Sequence, residues 1–167
     1  MNIITKMTHS EEKARDFFRF HLIKRSPSKY VYYGLSIITF LGAVVFLFLG
    51  RFYYALFFTF LSLMLLLIRR VTINITINKI IKNLRLPNYS YSLSFFDDKV
   101  VYETEYNRKE YKYYELLGIH ETKVYIFLYI SPNAALIVNK LEIDSEKRTE
   151  LGNYLSRQSK YRHYRFK

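Results

Sequence analysis

The chain has 167 residues, of which half are hydrophobic and 19% aromatic, and it carries a formal net charge of +12. It contains no cysteine, which excludes disulfides and thiolate metal sites. A basic chain suits nucleic acid, an anionic membrane surface or acidic partners, but the long apolar stretches described below already require a bilayer.

Residues 1–29 are predicted to form a basic amino-terminal segment that contains an amphipathic helix. Thr8 and Glu11 have the spacing of a capping box, and apolar residues recur after them at helical intervals. The apolar face of this helix either lies in the membrane interface or packs on a folded domain. The basic residues predicted to lie at the membrane surface here are Lys13, Arg15, Arg19, Lys24, Arg25 and Lys29.

Residues 30–70 are predicted to form a transmembrane helical hairpin. Residues 30–49 make up a run of twenty without a charge, and residues 52–68 add seventeen more. A helix rises about 1.5 Å per residue, so the first run spans about 30 Å, the thickness of a hydrocarbon core. Neither run has the polar face of a surface helix in a soluble protein. Gly50 and Arg51 form the connecting turn.

The flanking charges predict the orientation of this hairpin. Basic residues are frequent before the first run and after the second, where Arg69 and Arg70 follow directly, whereas the turn holds Arg51 alone. The positive-inside rule therefore predicts a multi-pass membrane protein with both termini in the cytoplasm. Four small residues in the first run either allow close helix packing or face lipid: Gly34, Ser36, Gly42 and Ala43.

Residues 71–88 connect the hairpin to the domain that follows. Apolar residues alternate with Thr and Asn at first, which is a strand pattern, yet the isoleucines of this segment also line one face of a helix. Continuity with the second span favours a helix, and Leu86-Pro87-Asn88 is predicted to end it.

Residues 89–158 are predicted to form a cytoplasmic antiparallel β domain with a carboxy-terminal helix. Short alternating stretches are separated by clusters of turn residues. Asp144 caps the final helix, in which Leu151 and Leu155 lie one turn apart. The predicted fold class is therefore membrane α+β, a transmembrane hairpin followed by a small barrel-like or half-barrel domain.

Residues 159–167 are predicted to form a basic tail with interleaved aromatic residues. Binding to anionic lipid headgroups is favoured, because the tail belongs to a chain anchored in a membrane. Binding to single-stranded nucleic acid and a solvated end are the alternatives. The basic residues assigned to the membrane surface here are Lys160, Arg162, Arg165 and Lys167.

A family resemblance is found in residues 113–144, which read YYELLGIHETKVYIFLYISPNAALIVNKLEID. Following two transmembrane helices and a basic connector, this stretch resembles the YcxB-like membrane proteins of Gram-positive bacteria. The resemblance implies that the membrane is a bacterial cell membrane. It also implies a cytoplasmic pleckstrin-homology-like (PH-like) domain, and structural rather than catalytic roles for the matching residues. Those residues are Tyr114, Ile119, Glu121, Val138 and Lys140.

The sequence contains no constellation that predicts catalysis, a metal site or another cofactor. The four histidines are scattered, and the apolar spans hold no Asp, Glu, Lys, Arg or His. We therefore predict a non-enzymatic, membrane-anchored module that binds a protein through the PH-like domain that the resemblance implies. The same resemblance, to bacterial membrane proteins with PH-like domains, implies a self-immunity protein or an accessory of a membrane complex as its role. The alternative is an anionic-lipid-surface protein that uses the basic helix and tail. The bilayer and a protein are the expected partners, nucleic acid is not, and oligomerisation is left open.

Overall fold

The computed structural model describes residues 3–84, 89–158 and 160–166, which belong to two compact units. The hairpin unit is Phe18–Arg85, and the β unit combines the two ends of the chain, Met1–Phe17 and Leu86–Lys167. The hairpin unit is thus an insertion within the β unit. This organisation differs from the predicted one, in which the domain began only at residue 89.

Two long helices form most of the hairpin unit. Helix α2 (Ser28–Phe48) follows a π-helical turn (His21–Arg25), and helix α3 (Phe52–Leu84) runs back after a short turn. Both helices are long and apolar enough to cross a membrane, and only 11% of the most apolar window of each is buried. Because α3 continues through Leu84, the structure decides the ambiguous segment after residue 70 in favour of helix. The predicted helix end at 86–88 lies outside the described residues.

The turn between α2 and α3 has the hydrogen bonds of a Schellman motif. Gly50 has a φ of +69°, a left-handed conformation that glycine adopts without a Cβ clash. Its N–H donates to the carbonyl of Leu47 at 3.1 Å, and the N–H of Arg51 donates to the carbonyl of Phe46 at 2.9 Å. The two-residue interruption of the apolar sequence is therefore enough to reverse the chain.

Small residues lie where α2 meets α3. Ser36 and Ser62 are buried, their hydroxyl oxygens are 2.8 Å apart, and the Ser62 hydroxyl donates to the Ser36 carbonyl at 2.9 Å. Ala43 is also buried, and a Cβ on Gly42 would meet the Phe58 ring at 3.3 Å. The close-packing interpretation is thus confirmed for these positions. Gly34 has no neighbouring atom within 4 Å of its Cβ position, so it does not belong to this contact.

The first sheet of the β unit joins segments from both sides of the hairpin. Its strand order is β1-β2-β3-β4, all antiparallel, and β1 pairs with β2 along its whole length, from Ile3 opposite Phe95 to His9 opposite Tyr89. The four strands are β1 (Ile3–His9), β2 (Tyr89–Phe95), β3 (Lys99–Glu103) and β4 (Arg108–Lys112).

The β1 strand corrects the interpretation of the amino-terminal segment. Ile3, Thr5 and Met7 are buried and alternate with exposed residues, so the period is that of a strand and Thr8 lies within it. Helix α1 (Glu11–Phe20) begins after Ser10, whose hydroxyl accepts a hydrogen bond from the Lys13 N–H at 3.4 Å. The cap is therefore two residues later than the predicted capping box.

The second sheet has the order β7-β6-β5-β8, in which β8 is parallel to β5 and the other pairs are antiparallel. Strand β8 lies within the predicted basic tail, so residues 161–163 form part of the fold. After a 3-10 turn (Tyr113–Glu115), the elements are β5 (Gly118–Glu121), β6 (Tyr125–Ser131), β7 (Ala134–Asn139), a second 3-10 turn (Lys140–Glu142), helix α4 (Ser145–Ser156) and β8 (Tyr161–His163).

The core of the β unit explains why β6 is apolar on both faces. Ile126 and Leu128 face a core shared by both sheets and by Leu151 and Leu155 of α4, as the sequence predicts for a central strand. Phe127 and Tyr129 point the other way, where Phe17 of α1 packs with ring centroids 5.6 and 5.7 Å away. For this part of α1 the apolar face therefore packs on the domain, which was one of the two predicted alternatives.

Candidate functional site

The structure divides the predicted membrane-surface residues between the two units. Lys167 lies outside the described residues. The hairpin unit contains Arg19, Lys24, Arg25, Lys29, Arg69 and Arg70, and the β unit contains Lys13, Arg15, Lys160, Arg162 and Arg165.

Two of the lysines in this set have their ammonium groups bound within the β unit. Lys13 is buried, and its Nζ lies 2.5 Å from the Glu142 carboxylate and donates to the Thr8 carbonyl at 2.6 Å. The Nζ of Lys160 donates to the carbonyls of Tyr114 and Leu116 at 2.9 and 2.7 Å. Lys13 is therefore not a membrane-surface residue, and the ammonium group of Lys160 has a structural role.

Three of the predicted arginines line one cavity of about 540 Å³ in the hairpin unit, here called the basic pocket. Arg69 is 9% exposed, whereas Arg19 and Arg70 are exposed. The remaining lining residues mix a phenol, an amide and aliphatic side chains: Tyr33, Asn74, Ile23, Leu66 and Ile73.

The Arg69 guanidinium is held at the wall of the basic pocket by neutral groups. One terminal nitrogen donates to the Tyr33 hydroxyl at 3.3 Å, and the other donates to the Ile23 carbonyl at 3.2 Å. The guanidinium carbon lies 5.1 Å from the centre of the Tyr33 ring, a cation–π distance. Its Nε is buried and has no hydrogen-bond partner among the described residues.

A second cavity, of about 310 Å³, lies in the β unit between the inner faces of the two sheets. We call it the tyrosine groove. Strand register places its residues together, because Tyr89 and Tyr91 of β2, Tyr102 of β3 and Tyr111 of β4 project from the core side of the first sheet. The other lining residues are His9, Asn107, Lys109, Ile130, Ala135, Leu136 and Ile137.

The aromatic wall of the groove is held by a few specific contacts. The Tyr91 hydroxyl donates to the Ile137 carbonyl at 2.6 Å, and the Tyr102 hydroxyl donates to that of Tyr89 at 3.3 Å. Burial raises the pKa values of Tyr91 and Tyr102 well above their ordinary value, so both hydroxyls stay protonated donors. These two hydroxyls of the wall are therefore neutral and fixed by hydrogen bonds.

His9 ends this wall and stacks on Tyr89 with ring centroids 4.9 Å apart. Burial, and secondarily the positive charge of Lys13, lowers the pKa of His9, which favours the neutral imidazole. Its Nε2 is buried without a hydrogen-bond partner among the described residues. Sequence reasoning missed this groove, because its only sequence signal is the alternation of tyrosines in β2, and His9 is eighty residues away from them.

The positions that carry the family resemblance have structural surroundings. Ile119 and Val138 are buried in the core, whereas Tyr114 is exposed. Glu121 accepts hydrogen bonds from Lys140 at 2.8 Å and from the Tyr161 hydroxyl at 2.5 Å. Burial opposes ionisation of Glu121, but these two donors outweigh it and lower the pKa of the carboxyl. The two charged positions thus form an ion pair that joins β5 to the end of β7.

Among the described residues, no group of three or more His, Cys, Asp or Glu side chains is arranged to hold a metal ion. His120, next to Glu121 in sequence, stacks on Tyr164 with ring centroids 5.3 Å apart. Adjacent residues of a strand point to opposite faces, so the two do not act together.

Comparison with known proteins finds no matching family model, no similar curated protein and no similar solved structure. The resemblance to the YcxB-like family therefore stays a prediction. Functional inference depends on the geometry of the basic pocket and of the tyrosine groove.

Proposed function

We propose that this chain is a non-enzymatic, membrane-anchored binding module. The hairpin unit anchors it in a bilayer, and the β unit binds a protein segment in the tyrosine groove. The observation that carries the membrane part is the exposure of α2 and α3, because only 11% of each apolar window is buried. A surface of this size and apolarity is not stable in water, since soluble monomers expose apolar patches of only a few hundred Å².

The pairing of β1 with β2 supports a two-crossing topology. These strands flank the hairpin in sequence and belong to one sheet, so both must lie on the same side of the membrane. An even number of crossings follows, which agrees with two helices of spanning length. The basic flanks and the single arginine of the turn favour the cytoplasm as that side.

The tyrosine groove supports a protein rather than a small-molecule ligand. Tyrosine offers a large, rigid contact area with a polar tip, and it is enriched where proteins bind one another. The groove combines four tyrosines with the aliphatic edge of β7 and with exposed Lys109. Such a surface suits an extended segment with an aliphatic anchor and an acidic side chain.

The type of the β domain and the biological role of the protein are also part of this proposal. Two sheets closed by a carboxy-terminal helix suit a PH-like domain, and a self-immunity protein or an accessory of a membrane complex is the role we favour. The alternative, lipid-surface binding through the basic helix and tail, is weakened because the ammonium groups of Lys13 and Lys160 are bound within the β unit. Strand β8 also orders part of the tail.

The binding proposal is tested by affinity capture of tagged full-length protein from mildly solubilised native membranes. Lys109→Glu reverses a charge in the groove on β4, and Lys6→Glu makes the same change on the outer face of the same sheet, on β1, three strands away. A stoichiometric protein partner that is reduced about tenfold by Lys109→Glu and retained by Lys6→Glu supports the groove. Recovery of the protein alone, or equal loss with both variants, contradicts it.

The topology is tested in the same chain, which contains no cysteine and so accepts single cysteines without background. Arg51→Cys in the turn should react with a membrane-impermeant maleimide in intact cells. Lys6→Cys and Lys109→Cys should react only after permeabilisation, because β1 and β4 belong to one unit. Labelling of all three in intact cells, or of only one of the two β-unit cysteines, would contradict the proposed topology.

A further inference from the structure

The basic pocket of the hairpin unit combines a buried cation with a complete absence of acidic residues. Arg69 is 9% exposed, and residues 17–96, which cover the whole hairpin unit, contain no Asp or Glu. A buried charge is costly unless it is paired. The neutral contacts from Tyr33 and Ile23 satisfy two nitrogens of Arg69 but supply no negative charge. The counter-charge must therefore come from outside this unit's own side chains.

The donors around the pocket are suited to a phosphate group. A guanidinium presents several N–H donors in a planar fork that matches phosphate oxygens. Arg19 and Arg70 line the same cavity, and the Nε of Arg69 is a buried donor without a partner among the described residues. A carboxylate has two oxygens and would pair with the N–H donors of one guanidinium, whereas a phosphate has enough oxygens to bind several cationic groups at once.

The position of the pocket along the helices selects a lipid as the source of that phosphate. Arg69 directly follows Ile68, the last residue of the second apolar run, and Tyr33 lies near the start of the first. Lipid headgroups lie at the level where apolar helix gives way to basic and aromatic residues. Leu66 and Ile73 add apolar lining beside the arginines, which suits the glycerol and upper acyl chain.

We infer that the basic pocket is a specific site for the headgroup phosphate of an anionic glycerophospholipid. Arg69 binds the phosphate, Arg70 and Arg19 add charge from the exposed rim, and Tyr33 orients the Arg69 guanidinium. This site lies in the hairpin unit and does not depend on the tyrosine groove. It differs from diffuse attraction of a basic surface, because one buried arginine supplies most of the selectivity.

The inference is tested by native mass spectrometry of delipidated full-length protein in detergent. The protein is titrated with dioleoyl phosphatidylglycerol or with the phosphatidylcholine of the same acyl chains. We expect one phosphatidylglycerol to bind with a preference of about tenfold over phosphatidylcholine, since one desolvated arginine–phosphate contact has roughly that effect. Equal binding of the two lipids overturns the inference.

Variants separate a specific site from general electrostatics. Arg69→Gln should weaken phosphatidylglycerol binding about tenfold, and Arg51→Gln is the matched control, because it removes the same charge at the turn. Arg70→Gln should not affect folding, because Arg70 is an exposed residue of the pocket. We expect it to weaken phosphatidylglycerol binding about threefold. Equal losses with Arg51→Gln and Arg69→Gln, or no loss with Arg70→Gln and Arg69→Gln, contradict the assignment.

Competition identifies the source of the phosphate. Inorganic phosphate at millimolar concentration should leave bound phosphatidylglycerol in place, because it lacks the acyl chains that contact the apolar lining of the pocket. If inorganic phosphate displaces the lipid completely, the pocket is a site for a free anion and the lipid assignment is wrong.

Discussion

The hairpin unit and the β unit use the same apolar residue types in opposite ways. Leu63 of α3 is 57% exposed, whereas Leu128 of β6 is fully buried within a core shared by two sheets. In the β unit apolar burial removes side chains from water and stabilises the fold. In the hairpin unit the apolar side chains remain on the outside, which agrees with the proposed insertion of this unit into a bilayer.

The buried polar groups of the two units differ accordingly. The β unit contains charged pairs, such as Glu121 with Lys140, whose side chains are largely shielded from water. At the helix contact the hairpin unit has the neutral pair Ser36 and Ser62 instead. In a lipid environment small hydroxyl side chains satisfy one another at little desolvation cost, whereas ion pairs are expensive. The contrast can be tested by equivalent substitutions in the two units.

The largest expected difference is between the two leucines. Leu128→Ala should destabilise the β unit by about 3 kcal/mol, because it leaves a cavity in a close-packed core. Leu63→Ala removes the same atoms from an exposed position and should cost less than about 0.5 kcal/mol. Hydrogen–deuterium exchange of β6 peptides in the full-length protein measures the first effect. If the β6 peptides are equally protected in Leu128→Ala and in Leu63→Ala, the proposed difference between a water-excluded core and a lipid-facing surface is wrong.

The Glu121–Lys140 pair should give the next largest effect. Glu121→Gln leaves the Lys140 ammonium largely buried without its counter-charge, and we expect a loss of about 2 kcal/mol in unfolding free energy. Adding Lys140→Met should recover part of that loss, because no unpaired charge then remains. Denaturant unfolding followed by near-ultraviolet circular dichroism measures both variants. A double variant less stable than Glu121→Gln would show that the ion pair is not the cause.

The pH dependence of this pair has a defined sign. The pKa of Glu121 is lowered in the folded state, so its contribution is fully present above the unfolded value of about 4.5. That stability is lost as the pH falls from there through the folded-state pKa. The wild-type protein should therefore lose more stability than Glu121→Gln on acidification below pH 4.5.

The serine pair of the hairpin unit should have a smaller effect. Ser36→Ala removes the hydroxyl that joins α2 to α3, and interhelical hydrogen bonds in membranes contribute about 0.6 kcal/mol on average. Thr39→Ala is the matched control, because the Thr39 hydroxyl bonds only carbonyls of its own helix. Thermal unfolding of the helices in detergent compares the two. A larger loss from Thr39→Ala would exclude a specific contribution of the serine pair.

The smallest expected effect is the titration of His9. Its lowered pKa means that the unfolded chain takes up the proton first, so stability is complete above about pH 6.5 and falls as the pH drops below it. His9→Gln should reduce the loss of stability between pH 7.5 and 5.5. An unchanged loss in His9→Gln would show that another group is responsible.

Sequence reasoning succeeded where the pattern is local. The two apolar runs, the Gly50 turn, the buried Leu151 and Leu155 of α4 and the apolar character of β6 are all found in the structure. It failed at β1, because the alternation of Ile3, Thr5 and Met7 is short and its partner strand begins only at Tyr89, far away in the sequence. Two of the three basic-pocket arginines flank the apolar runs in the sequence, but their convergence with Tyr33 depends on helix packing.

By itself the sequence determined the hairpin, because helix formation and the reversal at Gly50 depend on neighbouring residues and on the length of the apolar runs. Only the tertiary structure decided that the β unit is assembled from both ends of the chain and that Lys13 is a buried ion-pair residue. The same holds for the tyrosine groove and for the burial of Arg69. Strand pairing and side-chain burial depend on contacts between residues that are distant in sequence, and local patterns do not encode those partners.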